Sequence, residues 1–227
     1  MSTRPSPHVG EPVRYAGASL SKARIAVVLA HGRGATPEDV LSLADYLGIP
    51  DVAYIAPAAA GRSWWPHSFL VPLEENEPWL DSALAAFSDA VDIALNAGFE
   101  PDQVVVAGFS QGACLALEHG ARAGRSYLGI VGMSGGLLGT RDAGGPPTEE
   151  LHGQARKGFD YTGKVTGSRV YLGCHEHDPH IPLARVRETE HVFQAMGAKV
   201  TTQIFPGQGH GIVEEEIVYL RGLLNAG

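Results

Sequence analysis

Short, unbroken apolar runs alternate along this chain with stretches whose apolar residues recur at helical spacing. Ile25 to Ala30, Val52 to Ala56, Val104 to Ala107, Tyr127 to Met133 and Val170 to Leu172 are the apolar runs, and Val200 to Phe205 reads as the last strand. Runs rich in β-branched residues, with no polar residue alternating between them, suit strands covered on both faces, as in a parallel sheet. The intervening pattern is helical. Thr36-Pro37 has the form of an N-cap followed by proline at the first helical position. Val40, Leu41, Ala44 and Leu47 follow at helical spacing, and Gly48 is placed to end that helix. Leu80, Leu84, Phe87, Val91 and Leu95 make one amphipathic stripe that stops at Gly98. Further helices are expected after Ser110, over Leu183 to Met196 and over Ile212 to Leu224. Pro57 to Pro78 and Gly135 to Gly167 show no period and read as loops. Strands separated by helices demand right-handed crossovers, which predicts an α/β fold: a mostly parallel central sheet with helices on both faces.

At 227 residues, with no repeat and no break in composition, a single domain is expected. Lys and Arg number 17 against 25 Asp and Glu, a net charge of −8 that opposes sequence-independent binding of nucleic acid, which needs a basic surface. Two cysteines, Cys114 and Cys174, make no disulfide framework. The start of the chain through His8 lacks the apolar core of a secretory signal, and no run is long enough to span a bilayer. These features predict a cytoplasmic protein with no membrane insertion and no nucleic-acid partner. Monomer and homodimer are both compatible with them.

Gly108-Phe109-Ser110-Gln111-Gly112 lies between a strand run and a helix start. Glycines on either side of a serine permit a very tight strand-to-helix turn, and the helix N-terminus behind the serine presents unpaired N–H groups to an oxyanion. A serine nucleophile needs a base and the base needs an orienting acid, in the chain order serine, acid, histidine for doubly wound hydrolases. Asp178, before Pro179, follows one strand run, and His210, in Gly207-Gln208-Gly209-His210-Gly211, follows the last. All three fall where strands of a parallel sheet end, the edge that gathers ligands. Among the other histidines, His8 lies in an unstructured start, and His119, His152 and His191 read as surface or packing residues. His31 reads as loop geometry. The two oxyanion donors are expected to be the backbone N–H groups of Gln111 and of Arg33, the latter in His31-Gly32-Arg33-Gly34. The Arg33 guanidinium is a second candidate contact, for a substrate carboxylate or phosphate.

Leu29 to Gly34, Ser63-Trp64, Gly108 to Gly112, Asp178 to Pro182 and Gly209-His210-Gly211 together resemble the phospholipase/carboxylesterase family of the α/β-hydrolase superfamily, which includes acyl-protein thioesterases. The matches run in family order from about residue 24. The resemblance implies Ser110 as nucleophile, Asp178 as acid, His210 as base, the Arg33 and Gln111 N–H groups as oxyanion hole, and Trp64 as an aromatic wall of the substrate pocket. Trp65 and the 137–167 stretch are expected to shape that pocket. His175 stands where the family carries glycine, which implies a narrower or more polar pocket. The expected organisation is an α/β-hydrolase domain over 24–227, with 1–23 as its N-terminal extension or edge strand and 137–167 as a lid or insertion loop. The expected chemistry is hydrolysis of small to medium carboxylic esters or thioesters through an acyl-enzyme, with no cofactor and no metal. His175, Glu176, His177, Asp178 and His180 form a ligand-type cluster, but Asp178 is already engaged by the triad. A lactone or C–C bond hydrolase and a non-catalytic binding protein on the same fold stay open as alternatives.

Overall fold

The computed structural model describes residues 6–226. In chain order the elements are β1 (Val13–Gly17), β2 (Ile25–Ala30), α1 (Pro37–Leu41), α2 (Leu43–Leu47), β3 (Val52–Pro57), α3 (Trp79–Asn96), β4 (Val104–Phe109), α4 (Gln111–Ala123), β5 (Gly129–Met133), β6 (Arg141–Thr148), β7 (Gln154–Gly158), β8 (Arg169–His175), α5 (Leu183–Ala195), β9 (Lys199–Phe205) and α6 (Glu214–Asn225). The central sheet has seven strands in the order β1-β3-β2-β4-β5-β8-β9. Only β1 runs antiparallel, against β3. Residues 1–5 of the proposed N-terminal extension lie outside the described residues.

The alternation within each strand sorts side chains to two cores. Ala26, Val28 and Ala30 pack with α3, α4 and α5 on one face. Ile25, Val27 and Leu29 pack with α1, α2 and α6 on the other. The central strands are therefore apolar at every position, as burial on both faces requires. Thr36 caps α1 in a full capping box with Asp39, and Gly48 ends α2 in the left-handed conformation. The single helix expected between them is broken at Ser42, whose hydroxyl donates to the Asp39 carbonyl.

Two stretches differ from their reading as loops. Residues 57–78 carry short 3-10 turns at Ala60–Arg62 and Leu73–Asn76 and bury Trp64, Trp65, Phe69 and Leu70. The 135–167 stretch contains the antiparallel pair β6–β7. Most of β6 is exposed, so its residues carry no apolar alternation that would mark a strand. The pair is anchored from α4. The buried Glu118 carboxylate accepts from the N–H groups of Leu138 (2.9 Å) and Gly139 (3.2 Å) and from the Tyr161 hydroxyl (2.8 Å). It also pairs with Arg122 at 2.6 Å. Arg185 of α5 donates to the Leu137 carbonyl at 2.9 Å, and Lys157 of β7 donates to the Val71 carbonyl and pairs with Asp142.

His8 differs more sharply from expectation. It is 3% exposed, and its ring lies 5.4 Å from Trp64 and 5.5 Å from Trp79. Its Nδ1 accepts the Ala60 N–H and its Nε2 donates to the Trp64 carbonyl. His31, its ring 5.1 Å from Trp64, repeats the arrangement: Nε2 accepts the Ala59 N–H and Nδ1 donates to the Gly32 carbonyl. Each ring must give a lone pair to a backbone N–H, so each is held neutral, and burial lowers the pKa of both. Burial, with Arg125 nearby, also pushes His119 down to about 4.

Two stability predictions follow from these buried groups. Removing the carboxylate in Glu118→Ala strands two backbone N–H groups, a hydroxyl and Arg122, and should cost about 3–5 kcal/mol in urea denaturation. A loss below about 1 kcal/mol would show that β6–β7 is anchored elsewhere. The pH dependence has a definite sign. A histidine whose folded pKa is depressed stabilises fully above its unfolded value near 6.5, and that stability is lost as pH falls through the folded value. Unfolding free energy should therefore drop between pH 6.5 and 4. In His119→Phe the slope should be shallower by up to about 1.4 kcal/mol per pH unit, and an unchanged slope would place the proton uptake at other groups.

Candidate active site

Ser110 sits in the turn between β4 and α4 with φ 56° and ψ −120°, a backbone that a non-glycine residue adopts only under constraint. The constraint is close packing. A Cβ at Gly108 would fall on the Gly112 carbonyl, and one at Gly112 would fall on the Ala30 carbonyl of β2. Only glycine at both positions lets α4 start this close to the sheet. The Ser110 N–H donates to the Met133 carbonyl at the end of β5 (2.9 Å), which fixes the turn and projects the hydroxyl from the sheet edge.

Asp178 and His210 arrive from the ends of β8 and β9. His210 Nε2 lies 2.8 Å from Ser110 Oγ, and Nδ1 lies 2.8 Å from Asp178 Oδ2. The second carboxylate oxygen accepts the N–H groups of His180 (2.8 Å) and Ile181 (3.1 Å). Burial opposes ionisation of Asp178, but the hydrogen bonds from His210 and these two N–H groups outweigh it and hold the carboxyl below its ordinary pKa. An ionised Asp178 keeps the proton on Nδ1 and leaves Nε2 free to accept from the serine hydroxyl. Cys174, a thiol near the carboxylate, is buried with Sγ 3.8 Å from Asp178 Oδ2. Burial and then the Asp178 charge push its thiol up to about 12, and burial does the same to Cys114, so neither offers a thiolate near neutrality.

Ser110 and His210 open into a cavity of about 490 Å³, with Asp178 buried behind them. Gly32, Arg33 and Gln111 line it beside Ser110, with Trp65, Phe69 and Cys114 as apolar surface. Gln111 is the first residue of α4, where N–H groups have no partner within the helix. The Trp65 to Ser68 wall is held through its carbonyls. Ser63 Oγ (2.8 Å) and Gln111 Nε2 (2.9 Å) donate to Trp65, and the Arg33 guanidinium donates to Pro66 and His67 at 2.7 Å each. Asn76 Nδ2 donates to Ser68 at 3.0 Å.

The structure redistributes several expected roles. Trp65 lines the cavity, but Trp64 does not. It is fully buried behind the wall, donating from its indole to the His31 carbonyl (2.9 Å) and from its N–H to Gln111 Oε1 (2.9 Å). Its function is to brace the loop that carries Arg33. The Arg33 guanidinium is likewise taken up by the two wall carbonyls. His175 lies outside the cavity lining, packed on Phe205 at 5.6 Å and against Gly209, whose Cα has no room for a side chain. His180 instead turns its ring edge-on to His210 at 4.7 Å. His175, His177 and His180 therefore do not share a point, and among the described residues no three His, Cys, Asp or Glu side chains converge as a metal-ligand set. The contributions of His8, His180, Phe69 and Ile181 were not foreseen. His180 and Ile181 could have been read from their adjacency to Asp178, whereas His8 lies 56 residues from the Trp64 carbonyl it contacts.

The described residues contain no helix long and apolar enough to cross a membrane. The sequence model of the phospholipase/carboxylesterase family matches residues 17–150, more than half of the chain. Similar curated proteins include acyl-protein thioesterase 1 of Gibberella zeae, 27% identical over 131 residues covering 58% of this chain and 51% of that protein. Acyl-protein thioesterase 1 of Neurospora crassa is 25% identical over 144 residues, 63% of this chain and 54% of that one. The chain thus spans about half the length of these two relatives. Among solved structures, a phospholipase/carboxylesterase from Dyadobacter fermentans is 35% identical with a TM-score of 0.83, covering 95% of this chain and 97% of that one. A Bacillus cereus carboxylesterase, 18% identical with a TM-score of 0.68 over 96% and 95% of the chains, shares the fold. By its sequence and by its mostly parallel seven-stranded sheet, the chain belongs to the phospholipase/carboxylesterase family and has the α/β-hydrolase fold.

Proposed function

We propose that this protein is a serine hydrolase of carboxylic esters or thioesters with small to medium acyl groups, and that Ser110, His210 and Asp178 are its catalytic triad. The observation that carries the reading is the continuous hydrogen-bonded relay from Ser110 Oγ through His210 to Asp178, 2.8 Å at each step. Residues 24–227 are assigned to the hydrolase domain on the same ground, since the relay draws on strands from both halves of that range. The family's esterases and thioesterases support the substrate class.

Each group has one task. His210 Nε2 takes the hydroxyl proton as Ser110 Oγ attacks the acyl carbon. Asp178 holds the imidazole in place and stabilises the imidazolium that forms. The N–H groups of Arg33 and Gln111 receive the oxyanion, and the positive end of α4 adds to that stabilisation. His210 then gives its proton to the leaving oxygen or sulfur, and a water activated by the same nitrogen releases the acid from Ser110. The Trp65 wall is rigid before substrate arrives, so little ordering is needed at the moment of reaction. A cavity of about 490 Å³ suits a substrate of modest size.

Steady-state kinetics with p-nitrophenyl acetate test the assignment. Ser110→Ala should lower kcat by about 10⁴-fold or more, and Asp178→Asn by about 10⁴-fold, by leaving the imidazole in the wrong tautomer. A Ser110→Ala protein with wild-type turnover would refute the triad.

A further inference from the structure

A second cavity, of about 520 Å³, adjoins the first and shares Gly32, Ala35 and Phe109 with it. It lies on the opposite face of the sheet, between the α1–α2 pair and the start of α6, and its surface is mainly Val40, Leu43, Tyr46, Phe109, Ile212 and Ile217. None of the triad residues lines it, and the mechanism above makes no use of it. His210 itself lines the first cavity, and the second comes close to it across Phe109. The Phe109 ring lies 5.2 Å from the His210 ring, and Ile212 and Val213 follow His210 directly in the chain.

The geometry of acyl transfer sets what this cavity can hold. At the tetrahedral carbon one position belongs to Ser110 Oγ and one to the oxyanion, which points at the Arg33 and Gln111 N–H groups. Two arms remain. The leaving atom must come within hydrogen-bond reach of His210 Nε2 to be protonated, so its substituent departs on the His210 side. The acyl arm is directed to the first cavity, whose surface includes Trp65, Phe69, Cys114 and Ile181. The chemistry of the second cavity narrows the leaving group further. Its lining is largely apolar, and its two charged residues, Asp39 and Glu214, are both acidic and exposed. Glu214 is paired with Arg221 at 3.4 Å and Asp39 accepts from Thr36, and no Lys or Arg lines the cavity to bind a phosphate or carboxylate on a departing group.

We propose that this second cavity is the leaving-group site, and that it selects substrates whose alcohol or thiol is apolar and carries no negative charge. The inference rests on the triad reading and adds a substrate class to it: lipophilic esters and thioesters, as opposed to coenzyme A thioesters or phosphate-bearing esters.

Two matched substrate sets on the full chain test it. Butyrate esters of methanol and hexanol vary the leaving arm alone, and kcat/KM should favour the hexyl ester by at least about ten-fold, well under the ceiling set by burying five methylenes. S-hexyl thiobutyrate should outperform butyryl-coenzyme A, which presents the same reacting bond on an anionic leaving group. Ser42, exposed on the cavity rim, supplies the variant. Ser42→Trp should bring the hexyl-to-methyl ratio close to one and leave the ratio of methyl octanoate to methyl butyrate, which reads the acyl arm, unchanged. A wild-type hexyl-to-methyl ratio near one, a preference for butyryl-coenzyme A, or a ratio untouched by Ser42→Trp would each overturn the proposal. The two readings fail differently. Ester turnover that needs Ser110 but ignores the alcohol removes this inference alone, whereas turnover surviving Ser110→Ala, or none with any ester, removes the triad as well.

Discussion

The close approach of α4 to the sheet is the constraint on which the site depends. Gly112 lies against the Ala30 carbonyl of β2 and Gly108 against Gly112, with no room for a side chain at either. That contact forces Ser110 to φ 56°, lifts its hydroxyl off the sheet edge and sets the first N–H groups of α4 beside it. It also brings the end of β2, and with it the His31 to Gly34 loop, to the same cavity. Ser110 and the proposed oxyanion donors are thus placed by one packing event between backbone segments, before any side chain is positioned.

Around that contact, the polar groups of the site are bonded in a way that leaves little freedom. Gln111 spans from Trp64 to Trp65, Arg33 holds Pro66 and His67, and Asn76 holds the segment at both His67 and Ser68. Behind them Trp64 packs against two neutral histidines, each accepting from one of the successive N–H groups of Ala59 and Ala60. Rigid walls of this kind favour reaction by positioning, because the entropy of ordering the site is lost on folding and not during turnover. The arrangement carries an acid sensitivity with it. Protonating either histidine removes an acceptor and buries a charge beside the loop that bears Arg33.

Legibility in the sequence followed the range of the interactions involved. Strands β2, β4 and β5 could be read because burial on both faces makes each one apolar throughout, a purely local signal. The proposed triad could be assembled from the sequence because Ser110 follows β4 directly, Asp178 and His210 lie just beyond the ends of β8 and β9, and parallel strands bring their C-terminal ends to one edge. Trp64 and His175 were expected at the pocket and lie outside it. Which of two adjacent tryptophans faces a cavity depends on the direction of an irregular segment, and that direction is set by Gln111, Arg33 and Asn76 from elsewhere in the chain. His8 left no trace in its own neighbourhood, since its burial comes from Trp64, Trp79 and Ser82. The β6–β7 pair was missed for the opposite reason: it is exposed, so no apolar period marks it.

Peptide mapping by mass spectrometry after reaction with a fluorophosphonate tests the relay most directly, because it reports which atom is nucleophilic and which group makes it so. The account predicts one phosphonyl adduct, on Ser110, with a rate of formation lower by about 10³-fold or more in His210→Ala. An adduct on any other residue, or labelling of Ser110 at an unchanged rate without His210, would contradict it.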